Sequence, residues 1–207
     1  MVAIVDYGVG NLFSLKSSFA AIGVEATVTG EREVLHRAER ILLPGVGAFG
    51  DAANKLRASG LFDFLRDEAK EGKPLLGICL GMQLLFERGY EYGEHEGLGL
   101  ISGEVRPIAE VIPKGLKIPH IGWNALELQG EPNPLFRYIH SGDFVYFVHS
   151  FYGKNEDGSV IATTDYGAPL TAAVARGNVF GCQFHPEKSG KVGLNILRAF
   201  CEEVRAC

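Results

Sequence analysis

The sequence of 207 residues contains no run of basic residues, no cysteine pair at metal-ligand spacing, no long apolar stretch and no proline-rich or low-complexity linker. Each absence closes a class. With 20 basic against 25 acidic residues and a formal net charge of -5, the chain offers no attraction to a phosphate backbone or an anionic membrane, so no nucleic-acid partner is expected. The longest uncharged apolar stretch, Pro74 to Phe86, is too short to cross a bilayer, and the opening MVAIVDYG lacks a basic segment followed by a cleavage site. The chain is therefore expected in the cytoplasm and off the membrane. Cys79, Cys182, Cys201 and Cys207 stand apart, which leaves no disulfide or zinc framework. A cysteine that matters must act singly, as a thiol. Without a linker, residues 1–207 read as one domain, 46% hydrophobic and 22% charged.

Glycine is in excess, at 27 residues, roughly twice the usual share of about 7%. In the first half, short apolar runs alternate with amphipathic stretches. Val2 to Val5, Val24 to Val28, Arg40 to Leu43 and Leu75 to Cys79 read as strands. A helix begins at a potential cap, Asn11, and stops at Gly23; a charged helical piece and a helix pair over about 51–71 come next. Beyond residue 98 the pattern is β-rich: Leu100 to Val105, Lys117 to Leu128, Phe144 to His149, Val160 to Thr164, Thr171 to Ala175 and Val179 to Phe184. Arg176-Gly177-Asn178 signals a hairpin. A last amphipathic helix covers about 192–204. The expected fold is α/β, with a mixed, mostly parallel central sheet flanked by helices and antiparallel strands added in the C-terminal half.

Gly45-Val46-Gly47-Ala48-Phe49-Gly50 fits the G-x-G-x-x-G dinucleotide fingerprint. The physical motif also needs an acidic residue ending a second strand about 20 positions on, to hold the ribose. Here that distance falls on Lys70 and Glu71, inside a charged helix. The fingerprint fails in context.

Gly77-Ile78-Cys79-Leu80-Gly81 joins an apolar strand directly to a helix, the form of a nucleophile elbow with cysteine in place of serine. Its glycines allow strand and helix to pack closely around a strained turn. Helix-end amides there favour a thiolate, and two units below the usual thiol pKa of about 8.5 would be worth about 2.7 kcal/mol. The competing reading is a core cysteine in an apolar run. A base must decide between them. Phe184-His185-Pro186-Glu187 ends a strand with His and Glu two apart, where the imidazole could take a thiol proton and the carboxylate could fix its tautomer. Alone, these are equally a loop histidine and a solvated glutamate. In an α/β sheet, both strand ends can meet at the C-terminal edge. His36, His120 and His140 have no partner spacing, His95 lies in an acidic loop, and His149 ends a strand as a core, edge or binding residue.

GICLGMQ (77–83) and FHPEKS (184–189), preceded by LLPGVGAFG (42–50), resemble the class I glutamine amidotransferases, a triad-type cysteine glutaminase family, over nearly the whole chain. DYGVGNLFSL (6–15), IGWN (121–124) and YFVHSFY (146–152) look most like the glutaminase subunit that serves a cyclase in histidine biosynthesis. The resemblance implies that Cys79 attacks the carboxamide of L-glutamine, that His185 moves the protons and that Glu187 orients His185. It implies an oxyanion hole from the backbone amides of Leu80 and of Val46-Gly47, where one donor is worth about 3 to 4 kcal/mol. Gln83, Ser150 and Phe151 would hold the amino-acid end of the substrate. It further implies a heterodimer with a separate (β/α)8-barrel cyclase that receives the ammonia, with Asn11, Trp123, Tyr146 and Lys188 near the interface. No cofactor or metal is expected. The alternatives are a glutaminase of the same class serving another pathway, against which PGVGAF and DYGVGN speak, a nucleotide-dependent oxidoreductase using Gly45 to Gly50, and a catalytically silent subunit.

Overall fold

The computed structural model describes residues 1–155 and 157–204, so Cys207 lies outside the described residues. The first half runs β1 (Val2–Val5), α1 (Leu12–Ala21), β2 (Ala26–Thr29), α2 (Arg32–Arg37), β3 (Arg40–Leu43), α3 (Phe49–Ala58), α4 (Leu61–Lys70), β4 (Leu75–Ile78) and α5 (Leu80–Gln83). The second half is β5 (Phe86–Gly89), β6 (His95–Glu96), β7 (Ile101–Pro107), β8 (His120–Ala125), β9 (Glu127–Leu128), β10 (Phe144–His149), β11 (Phe151–Lys154), β12 (Val160–Asp165), β13 (Pro169–Arg176), β14 (Val179–Cys182) and α6 (Gly190–Glu202).

The main sheet has the order β2-β1-β3-β4-β14-β13-β12-β9. It is parallel from β2 to β14 and antiparallel beyond. β4 reads Leu-Leu-Gly-Ile and is buried throughout, as a central parallel strand covered on both faces must be. One face packs on α1 and α6 through Leu15, Phe19, Ile196, Leu197 and Phe200; the other packs on α3 and α4 through Phe49, Leu56, Leu61 and Leu65. Asn11 occupies the N-cap position of α1, but its side chain makes no capping bond.

The β-rich half is divided more finely than the sequence pattern indicates. Besides the main sheet there is a four-stranded sheet, β11-β7-β5-β6, and a two-stranded ribbon, β10-β8. The run 117–128 is two strands. Pro119 has no N–H, pairing starts at His120, and after Ala125 the chain leaves β10 so that β9 can pair with β12. β5 and β11 are short and carry no alternation long enough to read, yet both pair with β7. Among the described residues no helix is long and apolar enough to cross a membrane.

Candidate active site

The parallel neighbours β3, β4 and β14 all end on one edge of the main sheet, and the residues just beyond each strand face a common pocket. Cys79 directly succeeds β4. Its N–H donates to the Cys182 carbonyl at 2.7 Å, continuing the ladder, and it sits at φ 54°, ψ -113°. A conformation of this kind costs an L-residue about 1–3 kcal/mol. Close backbone contacts hold it there: a Cβ on Gly45 would stand 2.6 Å from the Gly81 nitrogen, one on Gly77 would stand 2.5 Å from the Gly81 carbonyl oxygen, and one on Gly81 would collide with the Leu43 carbonyl. Two glycines of the failed fingerprint are likewise used up within the protein: Gly45 packs against α5, and a Cβ on Gly50 would stand 2.6 Å from the His95 ring.

His185 lies just past β14. Its N–H donates to the Tyr146 carbonyl at 2.9 Å, and its carbonyl accepts from the Ser189 hydroxyl at 2.7 Å, which in turn accepts from the Tyr146 N–H at 2.9 Å. The imidazole Nδ1 lies 2.8 Å from Glu187 Oε1, both side chains being nearly inaccessible. Burial pulls the His185 pKa down, but bonding and charge from Cys79 and Glu187 outweigh it and push the pKa up to about 9. Nε2 has no conventional partner among the described residues, nor has Glu187 Oε2, so with Nδ1 tied to the carboxylate Nε2 is the nitrogen left for the thiol.

The loop after β3 completes the edge. Its base is pinned where the buried Tyr7 hydroxyl donates to the Pro44 carbonyl at 2.8 Å. Its tip stands free: Val46 is 44% exposed, and Gly47, at φ 94°, has nothing within 4 Å of where a Cβ would be. The pocket is a cavity of about 360 Å³, at the small end of the range for ligand sites. Every residue assigned by sequence to catalysis, the oxyanion hole or substrate lines it except Glu187, which stands behind His185.

Five further residues line the pocket: Lys188, which the resemblance put near the interface, and Glu91, Pro119, Val148 and His149. Glu91 Oε2 accepts from the Phe49 N–H at 2.7 Å, which pins the carboxylate at the start of α3 and leaves its other oxygen for a cationic group. Its place in an acidic, loop-like stretch hid it from sequence reasoning. His149 and His120 are both buried, and their rings bond across the ribbon at 3.0 Å. His120 thus has a partner although it carries no partner spacing in sequence. The 29-residue separation gives no spacing signal. His36 also has a partner, Glu68 Oε1 at 2.6 Å.

Trp123, Tyr146 and Lys188 form one patch beside the pocket, with Trp123 edge-on to Tyr146 at 6.2 Å and Lys188 Nζ 5.7 Å from the Tyr146 ring centre. Asn11 lies apart from these contacts, half-buried at the head of α1. Among the described residues, no group of three or more histidine, cysteine or acidic side chains could hold a metal ion.

A mostly parallel sheet with a strained cysteine at one strand end and a His–Glu pair at the next is the arrangement of a cysteine-dependent amidotransferase. The model of the family described as "Glutamine amidotransferase class-I" matches residues 3–204, and the chain belongs to that family. Among curated proteins it is similar to imidazole glycerol phosphate synthase subunit HisH of Lactococcus lactis, 46% identical with 98% of each chain covered, and to the same subunit of Syntrophotalea carbinolica, 48% identical with 97% of this chain and 98% of that one covered. Among solved structures it shares its fold with one described as a glutamine amidotransferase, at 23% identity, TM-score 0.76 and 99% coverage of both chains. It also shares the fold of PurLQS from Thermotoga maritima, at 22% identity, TM-score 0.74 and coverage of 97% and 96%.

Proposed function

We propose that this chain is the glutaminase subunit of imidazole glycerol phosphate synthase, one domain over residues 1–207, working in the cytoplasm on L-glutamine. It passes ammonia to a (β/α)8-barrel cyclase, which makes imidazole glycerol phosphate and an aminoimidazole carboxamide ribonucleotide in histidine biosynthesis. The observation that carries this reading is the convergence of Cys79 and the His185–Glu187 pair on one pocket, in a chain with relatives of that name at 46–48% identity.

With its proton passed to His185 Nε2, the Cys79 sulfur adds to the side-chain carboxamide carbon of glutamine. Charge gathers on the carbonyl oxygen, which faces the first free N–H groups of α5 at Leu80 and the Val46-Gly47 tip. His185 gives a proton to the nitrogen as the C–N bond breaks, and ammonia leaves a thioester on Cys79. Water then adds to the thioester carbon, losing its proton to His185; glutamate departs and the thiol is restored. Glu187 holds the ring so that Nε2 carries these protons. Glu91 suits the α-ammonium group, with Gln83, Ser150 and Phe151 around the amino-acid end.

The outer face of the β8–β10 ribbon fits a protein partner. Ile121, Trp123 and Phe144 are each more than half exposed and lie on the same face as Tyr146, which is paired with Trp123 in register. Trp123→Ala is expected to weaken the complex by about 2 kcal/mol, roughly 30-fold in Kd, with the melting temperature of the free chain unchanged. The whole reading is tested by ammonia release from L-glutamine, weak for the chain alone and stimulated by the cyclase with its nucleotide ligand. Because His185 must arrive protonated and its pKa is pushed up to about 9, the rate should fall as the pH rises through that value. Glutamine turnover that ignores the cyclase would overturn the assignment.

A further inference from the structure

We propose that Gln183 is a further catalytic residue, holding the Cys79 sulfur through its side-chain N–H, and that a chain of hydrogen bonds from Asn124 on the ribbon fixes the Gln183 amide in that orientation. Gln183 is fully buried, and its Nε2 lies 3.9 Å from Cys79 Sγ, within reach of a sulfur acceptor. An amide can be turned either way, and only one way offers the sulfur a donor. The groups that set the direction lie further off. Gln83 Nε2 donates to Gln183 Oε1 at 3.0 Å and to the Phe151 carbonyl at 3.2 Å. A carbonyl can only accept, so Gln83 must turn its NH2 group to Phe151. Its second N–H then meets Gln183 Oε1, which leaves Gln183 Nε2 for the sulfur.

The Phe151 carbonyl is itself placed by two histidines. His149 Nδ1 is 2.8 Å from it, His149 Nε2 is 3.0 Å from His120 Nδ1, and His120 Nε2 is 3.4 Å from Asn124 Nδ2. Asn124 has no freedom to turn, because its Oδ1 accepts from the Ala125 N–H at 2.9 Å and its Nδ2 donates to the Asp165 carbonyl at 2.7 Å. From that end His120 Nε2 must accept, so its proton is on Nδ1; that proton goes to His149 Nε2, and the His149 proton is on Nδ1, facing Phe151. Starting from the Phe151 carbonyl gives the same two tautomers, so the chain is determined twice over. It requires both rings neutral. Burial supplies this, lowering the His120 pKa and taking that of His149 down to about 4 against the opposing Phe151 carbonyl. His120 is clamped by Tyr166 and Phe147, stacked at 4.1 and 4.9 Å. His120 and His149 are therefore positioning residues, acting on the sulfur through others.

The proposal rests on Cys79 being the nucleophile of the glutaminase reading, and its test needs no glutamine. In the unmodified chain, nitrogen NMR at pH 7 should find both imidazoles neutral with the proton on Nδ1. Alkylation of Cys79 by iodoacetamide, monitored on its own peptide by mass spectrometry, should slow at least fivefold in Gln183→Met and Gln183→Leu. His149→Phe should also slow it, while His149→Asn, which keeps a donor towards Phe151, should restore it to within about twofold of the parent. A His149 proton on Nε2, or parental alkylation in the Gln183 variants, would overturn the proposal. Should neither Gln183 variant fold, the NMR result and the two His149 variants decide alone. Cys79→Ala chain that still releases ammonia would instead sink the glutaminase reading.

Discussion

Cys79→Gly is expected to melt at a higher temperature than the parent chain while releasing no ammonia. The two effects have opposite signs because one residue carries both strain and chemistry. At φ 54°, ψ -113° the Cβ of Cys79 is crowded, and relieving such strain returns about 1–3 kcal/mol. Glycine gives back about 0.5–1 kcal/mol through the freedom it gains in the unfolded chain, leaving about 0.5–2 kcal/mol. For a chain of this size that is a rise of roughly 1–8 °C in Tm. Ammonia release should fall by about 10⁴-fold or more, since nothing else in the pocket can form the thioester. Cys79→Ala separates the causes. It should be equally inactive but gain no stability, because it keeps the Cβ. Calorimetry and an ammonia assay on the same preparations check both halves: a lower Tm for the glycine variant would remove the strain, and surviving turnover would remove the nucleophile.

That turn was legible because its requirements are local. Gly77 and Gly81 flank Cys79 at the two positions where strand and helix would otherwise collide, and the same three-dimensional constraint appears as spacing along the chain. His185 and Glu187 are likewise two residues apart, so their 2.8 Å contact could be anticipated. The contacts that stayed hidden depend on partners distant in sequence. Gln183 meets Gln83 across 100 residues, and His120 meets His149 only because β8 and β10 pair in that register. Residues 86–89 and 151–154 become strands through the edges of β7, not through any alternation of their own. Three sheets instead of one, among the described residues, arise from the same cause, since pairing choices among short strands are settled by tertiary contacts. Only family resemblance pointed to Val46, Gly47, Leu80, Gln83, Ser150 and Phe151 for oxyanion and substrate roles; all six line the pocket. It did not point to Glu91, whose carboxylate is brought in by the start of α3.

Glu68 shows how a periodic pattern can be read correctly and its consequence missed. In α4 the inward face is Leu61, Phe62, Leu65, Glu68 and Ala69, so helical spacing puts a carboxylate at a core position. It is tolerated because Lys73, just before β4, and His36 of α2 both reach it, while Lys73 also donates to the Leu35 and His36 carbonyls. Three elements are tied at the sheet edge opposite the active site. Glu68→Ala leaves the Lys73 ammonium, 14% exposed, without its counter-charge and is expected to cost about 3–5 kcal/mol. Burial raises the Glu68 pKa, but the bonds and charges of Lys73 and His36 prevail and lower it on balance. Its stabilisation is thus complete above the ordinary carboxylate pKa of about 4.3 and disappears as the pH falls through the lower value in the folded chain. Urea unfolding at pH 7 should show the full loss for Glu68→Ala, with recovery of a large part of it when Lys73→Met is added and the stranded charge is removed. The difference between parent and Glu68→Ala should shrink in acid. A double variant as unstable as Glu68→Ala alone would mean that packing, and not the orphaned ammonium, carries the cost.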